Sequence, residues 1–337
     1  MEKLIIRKLD LNVKLSNSEN MNTKIYKSSK NIQLIIETTL VFTGMSFLSV
    51  YIHQFQFENK FLKWFFYTVL LLFQGLWFYR LYIIGHEASH KKLFKKSNLT
   101  NDVFGSFFLM PLVTPINIYR KIHMFHHGFN RKDDDTSALD TFTTNKITLL
   151  KKVYFYTVWY VSVFFGGLFI HSLVSVILFL FIPPSISKKI SPAFNGWTWY
   201  DQFKAIALFG MGIGFHYLVF YHFGIDVYLW VLGYPLLSFA WILSILVYIF
   251  HYKTTVGKDV RFNVRSVNKL PFFSWVLMNF NEHATHHQYP NIPWYDLPIN
   301  RIELPSEYAK KNQNTWNFFM AIMQQLKGPR IIEKDKK

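Results

Sequence analysis

The feature that most constrains this chain is a set of apolar runs, each long enough to cross a bilayer, which takes about 20 residues as a helix. Ile32 to about Gln54 is one run, and Phe61 to about Ile84 is a second after the break "FENK". Two more, 203–223 and 227–250, are joined by a short turn near Gly224. A soluble chain with half its residues apolar would break them into amphipathic faces. The sequence therefore predicts an integral membrane protein.

Two further apolar stretches do not read as simple spans. Residues 103–119 are interrupted by Pro111 and Pro115, which break helices and predict a re-entrant or interfacial piece. The segment 154–183 carries Gly166-Gly167 near its middle and lies between Lys151-Lys152 and Lys188-Lys189. Positive residues favour the cytoplasmic side, so both its ends face the cytoplasm, and it dips in and returns at the glycine pair. The expected fold is all-α: four transmembrane helices with re-entrant or interfacial helices, a cytoplasmic cap, and both termini cytoplasmic. The outer turns then hold only Lys60 and Lys63.

Residues 1–31 read as a basic leader without the apolar core of a signal peptide, 32–305 as the membrane domain, and 306–337 as a basic tail. The net charge of +17 is topogenic and lipid-facing in such a chain, and nucleic acid is not expected as a partner. "GMGIG" at 210–214 lies inside a span with no preceding strand, so helix packing is its expected use.

There is no cysteine, so any metal must be held by His, Asn, Asp or Glu. The thirteen histidines are clustered. His86 and His90 stand at i and i+4, while His123, His126, His127 and His283, His286, His287 form two HxxHH sets. On a helix these spacings share one face, about 5–6 Å apart. Neutral imidazole is a ligand for Fe, Zn, Cu and Ni. One octahedral ion cannot use all eight rings, whereas two ions can.

"HEASH", "HMFHH" and "NFNEHATHHQYP" resemble the three histidine boxes of the membrane fatty acid desaturase superfamily, which includes carotenoid ketolases and hydroxylases. The resemblance runs from about residue 80 to 300. It implies a di-iron centre (Fe2+/Fe3+) that activates O2 with two supplied electrons and abstracts hydrogen from an unactivated methylene. His251 occupies the place of a ninth histidine ligand, and Asn279, four before His283, that of a direct or water-mediated donor. Asp135 matches an acidic position that orients a ligand ring.

His53, His171, His216 and His222 are read as packed or interfacial, and Glu87 and Glu282 as pointing off the ligand face. The expected activity is desaturation of an acyl lipid or acyl-carrier substrate; a carotenoid ketolase or hydroxylase is the alternative. No cytochrome b5-like domain is visible. A separate donor of ferredoxin or cytochrome b5 type is therefore expected, docking on cytoplasmic lysines and arginines. A histidine-rich metal transporter would instead place ligands deep within the spans.

Overall fold

The computed structural model describes residues 27–95, 97–134 and 138–334. The chain is mostly helical. Its long elements are α1 (Ser28–Gln54), α2 (Lys60–Ser89), α3 (Asn98–Leu109), α4 (Ile116–Phe129), α5 (Leu149–Phe164), α6 (Gly167–Phe181), α7 (Trp199–Tyr228) and α8 (Tyr234–Leu246). Among the described residues, three helical stretches are long and apolar enough to cross a membrane, or up to five if each bent pair counts as one. Leu40, Phe47, Tyr51, Phe61 and Phe65 point outward, as lipid-facing side chains do.

The third long stretch, Trp199–Leu246, is not one rod. Gly224 is non-helical at φ 79°, ψ 170°. His216 and Tyr228, twelve residues apart, would stand about 18 Å apart on a straight helix. Instead His216 Nδ1 meets the Tyr228 hydroxyl at 3.2 Å. The chain reverses at Gly224, where the sequence predicts a turn, because glycine adopts that φ without steric cost.

Cross-links between helices fix their directions. The Trp77 indole N–H donates to the Thr38 carbonyl at 2.9 Å, and the Asn31 amide donates to the Leu93 carbonyl at 3.0 Å. The start of α1 therefore lies beside the end of α2, and the two run antiparallel. A Cβ on Gly75 of α2 would fall inside Ser238 of α8. Gly75 precedes His86 by eleven residues and Ser238 precedes His251 by thirteen, so α2 and α8 run in parallel toward one end of the bundle. Gly75→Val should therefore force these helices apart. Overpacking of this kind costs about 1–3 kcal/mol, and a thermal melt of the purified protein should show it; an unchanged midpoint would refute the close approach.

The two interrupted segments bend sharply. Asn98–Leu112 meets Ile116–Phe129 at 96°, through Val113 at φ 51°. α5 meets α6 at 88°, through Gly166 at φ 80°. The second bend falls at the glycine pair, where the sequence predicts one. Within "GMGIG", Gly212 packs against Met110 and Val113, while Gly210 and Gly214 face open space.

Among the described residues, the chain departs from an all-helical reading at one point. β1 (Thr141–Thr144) pairs in parallel with β2 (Arg330–Glu333), Thr141 opposite Arg330. Residues 306–334, read from sequence as a basic tail, are laid against the bundle. Phe318 is buried in the main core, and the Gln325 side chain donates to the Ile245 carbonyl at 2.9 Å. The basic leader, apart from its end from residue 27, lies outside the described residues.

Candidate metal centre

Four segments deliver histidines to the end of the bundle where α2 and α8 finish. His86 and His90 sit at the last turn of α2. His123, His126 and His127 belong to α4. His251 lies in the turn after α8. Box three forms a short helix, α9 (His283–Gln288). Asn279 precedes it in the left-handed region at φ 57°, which asparagine tolerates better than most residues.

The nine rings sort into two groups. Ligand nitrogens of His86, His90, His123, His127 and His286 all lie within 4.8 Å of one another, as do those of His126, His251, His283 and His287. In both HxxHH sets the first and fifth positions share a group and the fourth crosses to the other. Helix geometry accounts for this. At about 100° per residue, i+4 sits about 40° to one side of i and i+3 about 60° to the other. The HxxxH of box one, lacking an i+3 member, contributes to one group only.

The spacing fits metal ligation. His90 and His123 place their Nε2 atoms 2.7 Å apart, His123 and His127 3.0 Å, His127 and His286 3.1 Å, and His251 and His283 3.0 Å. Cis ligands at about 90° around an ion with bonds of about 2.1 Å lie about 3.0 Å apart. Nε2 of His86 and of His287 is buried with no hydrogen-bond partner, which buried polar atoms rarely tolerate. An all-imidazole donor set suits iron, zinc, copper or nickel and disfavours magnesium or calcium.

Electrostatics favours the same state. Burial, reinforced by neighbouring rings and basic groups, holds His251, His283, His286 and His287 well below the ordinary imidazole pKa. The neutral ring with a free lone pair is then the form present at neutral pH.

An aromatic cavity of about 270 Å³ opens against both groups. Tyr79, Tyr82, Tyr119, Val247, Tyr248 and Phe280 line it, together with His86, His123, His126, His251 and His283. The hydroxyl of Tyr79 is buried without a partner, and that of Tyr119 faces Tyr82. Tyr119 stacks on His123 at 5.5 Å, from the preceding turn of α4.

Other expected residues lie elsewhere or have other partners. The Asn279 amide donates to the Trp294 carbonyl at 3.2 Å, and Asp135 falls outside the described residues. His216 is packed between the Pro111 carbonyl and Tyr228. Its ring and that of His53, against Trp230, are away from the two groups. Glu282 pairs with Asn281 and Arg301.

Glu87 stands off the ligand face, as the sequence predicts, and has partners of its own. Its Oε1 stands 3.3 Å from His86 Nδ1 and 3.1 Å from Lys92 Nζ, and its Oε2 accepts the Trp294 backbone N–H at 3.2 Å. His86 turns its second nitrogen toward Glu87, and the loop after box three closes over it; neither contact follows from helical spacing. The Tyr119–His123 stack, at i and i+4, was open to sequence inspection.

Comparison with known proteins points one way. The family model described as fatty acid desaturase matches residues 62–319. An sn-1 acyl-lipid omega-3 desaturase (ferredoxin) of Nostoc sp. (strain 36) is 23% identical over 253 residues, 70% of this chain and 66% of the relative. An sn-1 oleoyl-lipid 12-desaturase of Anabaena variabilis is 33% identical over 75 residues, 22% of this chain and 21% of the relative. An omega-3 fatty acid desaturase of Caenorhabditis elegans is 32% identical over 68 residues, 20% and 17% of the two chains. The chain's matches thus span less than two thirds of the length of these relatives.

Proposed function

The chain belongs to the fatty acid desaturase family, and from that premise we propose that it is an O2-dependent acyl-lipid desaturase. The observation that carries the proposal is the pair of histidine groups at the floor of an aromatic cavity. His86, His90, His123, His127 and His286 would hold one iron ion, and His126, His251, His283 and His287 the other. Asn279, whose amide N–H is taken by the Trp294 carbonyl, would offer its oxygen as a direct or water-mediated donor, and Asp135 would orient a ligand ring. When bound, the two irons supply the oxidising power by which O2, two electrons and two protons take two hydrogens from adjacent methylenes, giving a double bond and two waters.

The protein's part is placement. Tyr82, Tyr248 and Phe280 form apolar walls that hold an extended acyl segment and exclude water. Val247 and Tyr248, at the end of α8, bring that segment beside His251, while Tyr119 braces the His123 ring. The unpartnered Tyr79 hydroxyl gives the otherwise apolar slot a polar point at which an unsaturated or otherwise polarisable stretch of chain can register.

In the bilayer, α1, α2, the first part of α7 and its continuation into α8 would make four passes, with the bent pairs entering from the cytoplasmic side. The metal end, the residue-27 end and the residue-334 end would all be cytoplasmic. Basic residues gathered toward that end support this orientation by the positive-inside rule. They also suit an acidic electron carrier. A ferredoxin-type donor is the reading favoured, since the Nostoc relative is named for ferredoxin. Oxygen insertion into carotenoids is not favoured, because these relatives are named for desaturation.

The test is expression in a host making both unsaturated acyl lipids and carotenoids, with ferredoxin and its reductase supplied. Mass spectrometry should find acyl chains lighter by two hydrogens. Carotenoids gaining oxygen, with acyl chains unchanged, would overturn the assignment.

A further inference from the structure

The two histidine groups are not equivalent beyond their ligands. In the first, His86 turns Nδ1 to the Glu87 carboxylate at 3.3 Å, which leaves Nε2 for an ion. Glu87 is itself locked in place by Lys92 and by the Trp294 backbone N–H, and both Glu87 and Lys92 are buried. Among the described residues, no carboxylate stands within ion-pair distance of a ring nitrogen in the second group, whereas Glu87 does so for His86 in the first. The first group also offers five nitrogens against four. A carboxylate behind a ligating imidazole raises its basicity, and a more basic ligand set stabilises the higher oxidation state of the iron it holds.

We propose that Glu87 is a positioning residue that acts through His86 to make the first metal position the more easily oxidised of the two, so that the half-oxidised pair carries its ferric ion there. The step is a one-electron oxidation: one ferrous ion becomes ferric, and its electron passes to the electrode or mediator. This inference rests on the iron reading above.

The full chain, iron-loaded in nanodiscs, would be titrated spectroelectrochemically with its iron counted in parallel. The wild type should show two potentials. Glu87→Gln keeps the shape and removes the charge. Loss of such an outer partner weakens metal binding about 10–100-fold. A tenfold loss confined to the ferric form raises the lower potential by about 59 mV for a one-electron couple. The upper potential should hold. Glu282→Gln serves as control, since that equally buried acid contacts Asn281 and Arg301; neither potential should move.

Two irons retained with both potentials unmoved in Glu87→Gln would overturn the proposal and leave the iron reading standing. So would equal movement of both potentials, or a like shift in the control. If Glu87→Gln does not accumulate, Glu87→Asp carries the test, because it draws the carboxylate back by one methylene. A smaller rise in the lower potential is then expected, and no rise overturns the idea. A wild type that binds no iron would defeat the iron reading itself.

Discussion

Replacing His286 with alanine is expected to lower desaturation more than about a hundredfold and to release metal from the first position. His286 is the one residue of box three whose ligand nitrogen joins the first group, where it stands 3.1 Å from His127 Nε2. It is therefore the tie between α9 and the α2–α4 side of the centre. Removing even an outer partner of a ligand costs about 10–100-fold in affinity or activity, and a ligand should cost more. The alanine also leaves a hole beside the His127 ring. The matched control is His216→Ala, which takes a packed histidine from the Pro111 carbonyl and Tyr228 and should change stability rather than chemistry. Lipid profiles and iron counts of the two variants check this together. Wild-type levels of double-bond formation in His286→Ala would remove that residue from the centre.

Much of this centre is legible in the sequence because its signals are local. Histidines at i, i+3 and i+4 announce converging rings, and apolar runs of spanning length announce the bundle that carries them. The division of nine rings into five and four is not local. It depends on how α2, α4 and α9 face one another, which spacing does not specify. Gly166 and Gly224 mark their bends for a reason readable from composition, since both take positive φ. The angle of 88° at the first is set by what the arms pack against. The pairing of β1 with β2 is the least legible element. Both strands have four residues, and their register joins segments almost two hundred positions apart. Glu87 was hidden for the same reason, as its third partner arrives from residue 294.

Arg131 shows how far such distant pairings control the site, and its removal carries the largest expected loss of stability. It follows box two in "HHGFNR" and sits in the left-handed region at φ 49°. Its guanidinium is buried and donates to Asp140 Oδ1 at 2.6 Å, to the Tyr248 hydroxyl at 2.9 Å and to the Thr254 carbonyl at 3.0 Å. Asp140, equally buried, also accepts the Lys253 backbone N–H at 2.6 Å. The cluster therefore clips the end of α4 to the turn that presents His251. Arg131→Ala strands the Asp140 carboxylate away from water with only the Lys253 N–H and the neighbouring Thr141 hydroxyl as donors. Breaking a buried pair in this way costs about 3–5 kcal/mol, much of the roughly 5–15 kcal/mol that holds a domain folded. Little folded protein should accumulate, and what does should lack iron at the second position first, since His251 belongs to that group. Pairing Arg131→Met with Asp140→Leu removes both charges and should recover most of the loss, because the penalty lies in the unpaired carboxylate and not in the missing bridge. A thermal-denaturation cycle over the two single variants and the double decides it. A single-variant loss below about 1 kcal/mol would mean that water reaches Asp140 and that the clip does not hold His251 in place.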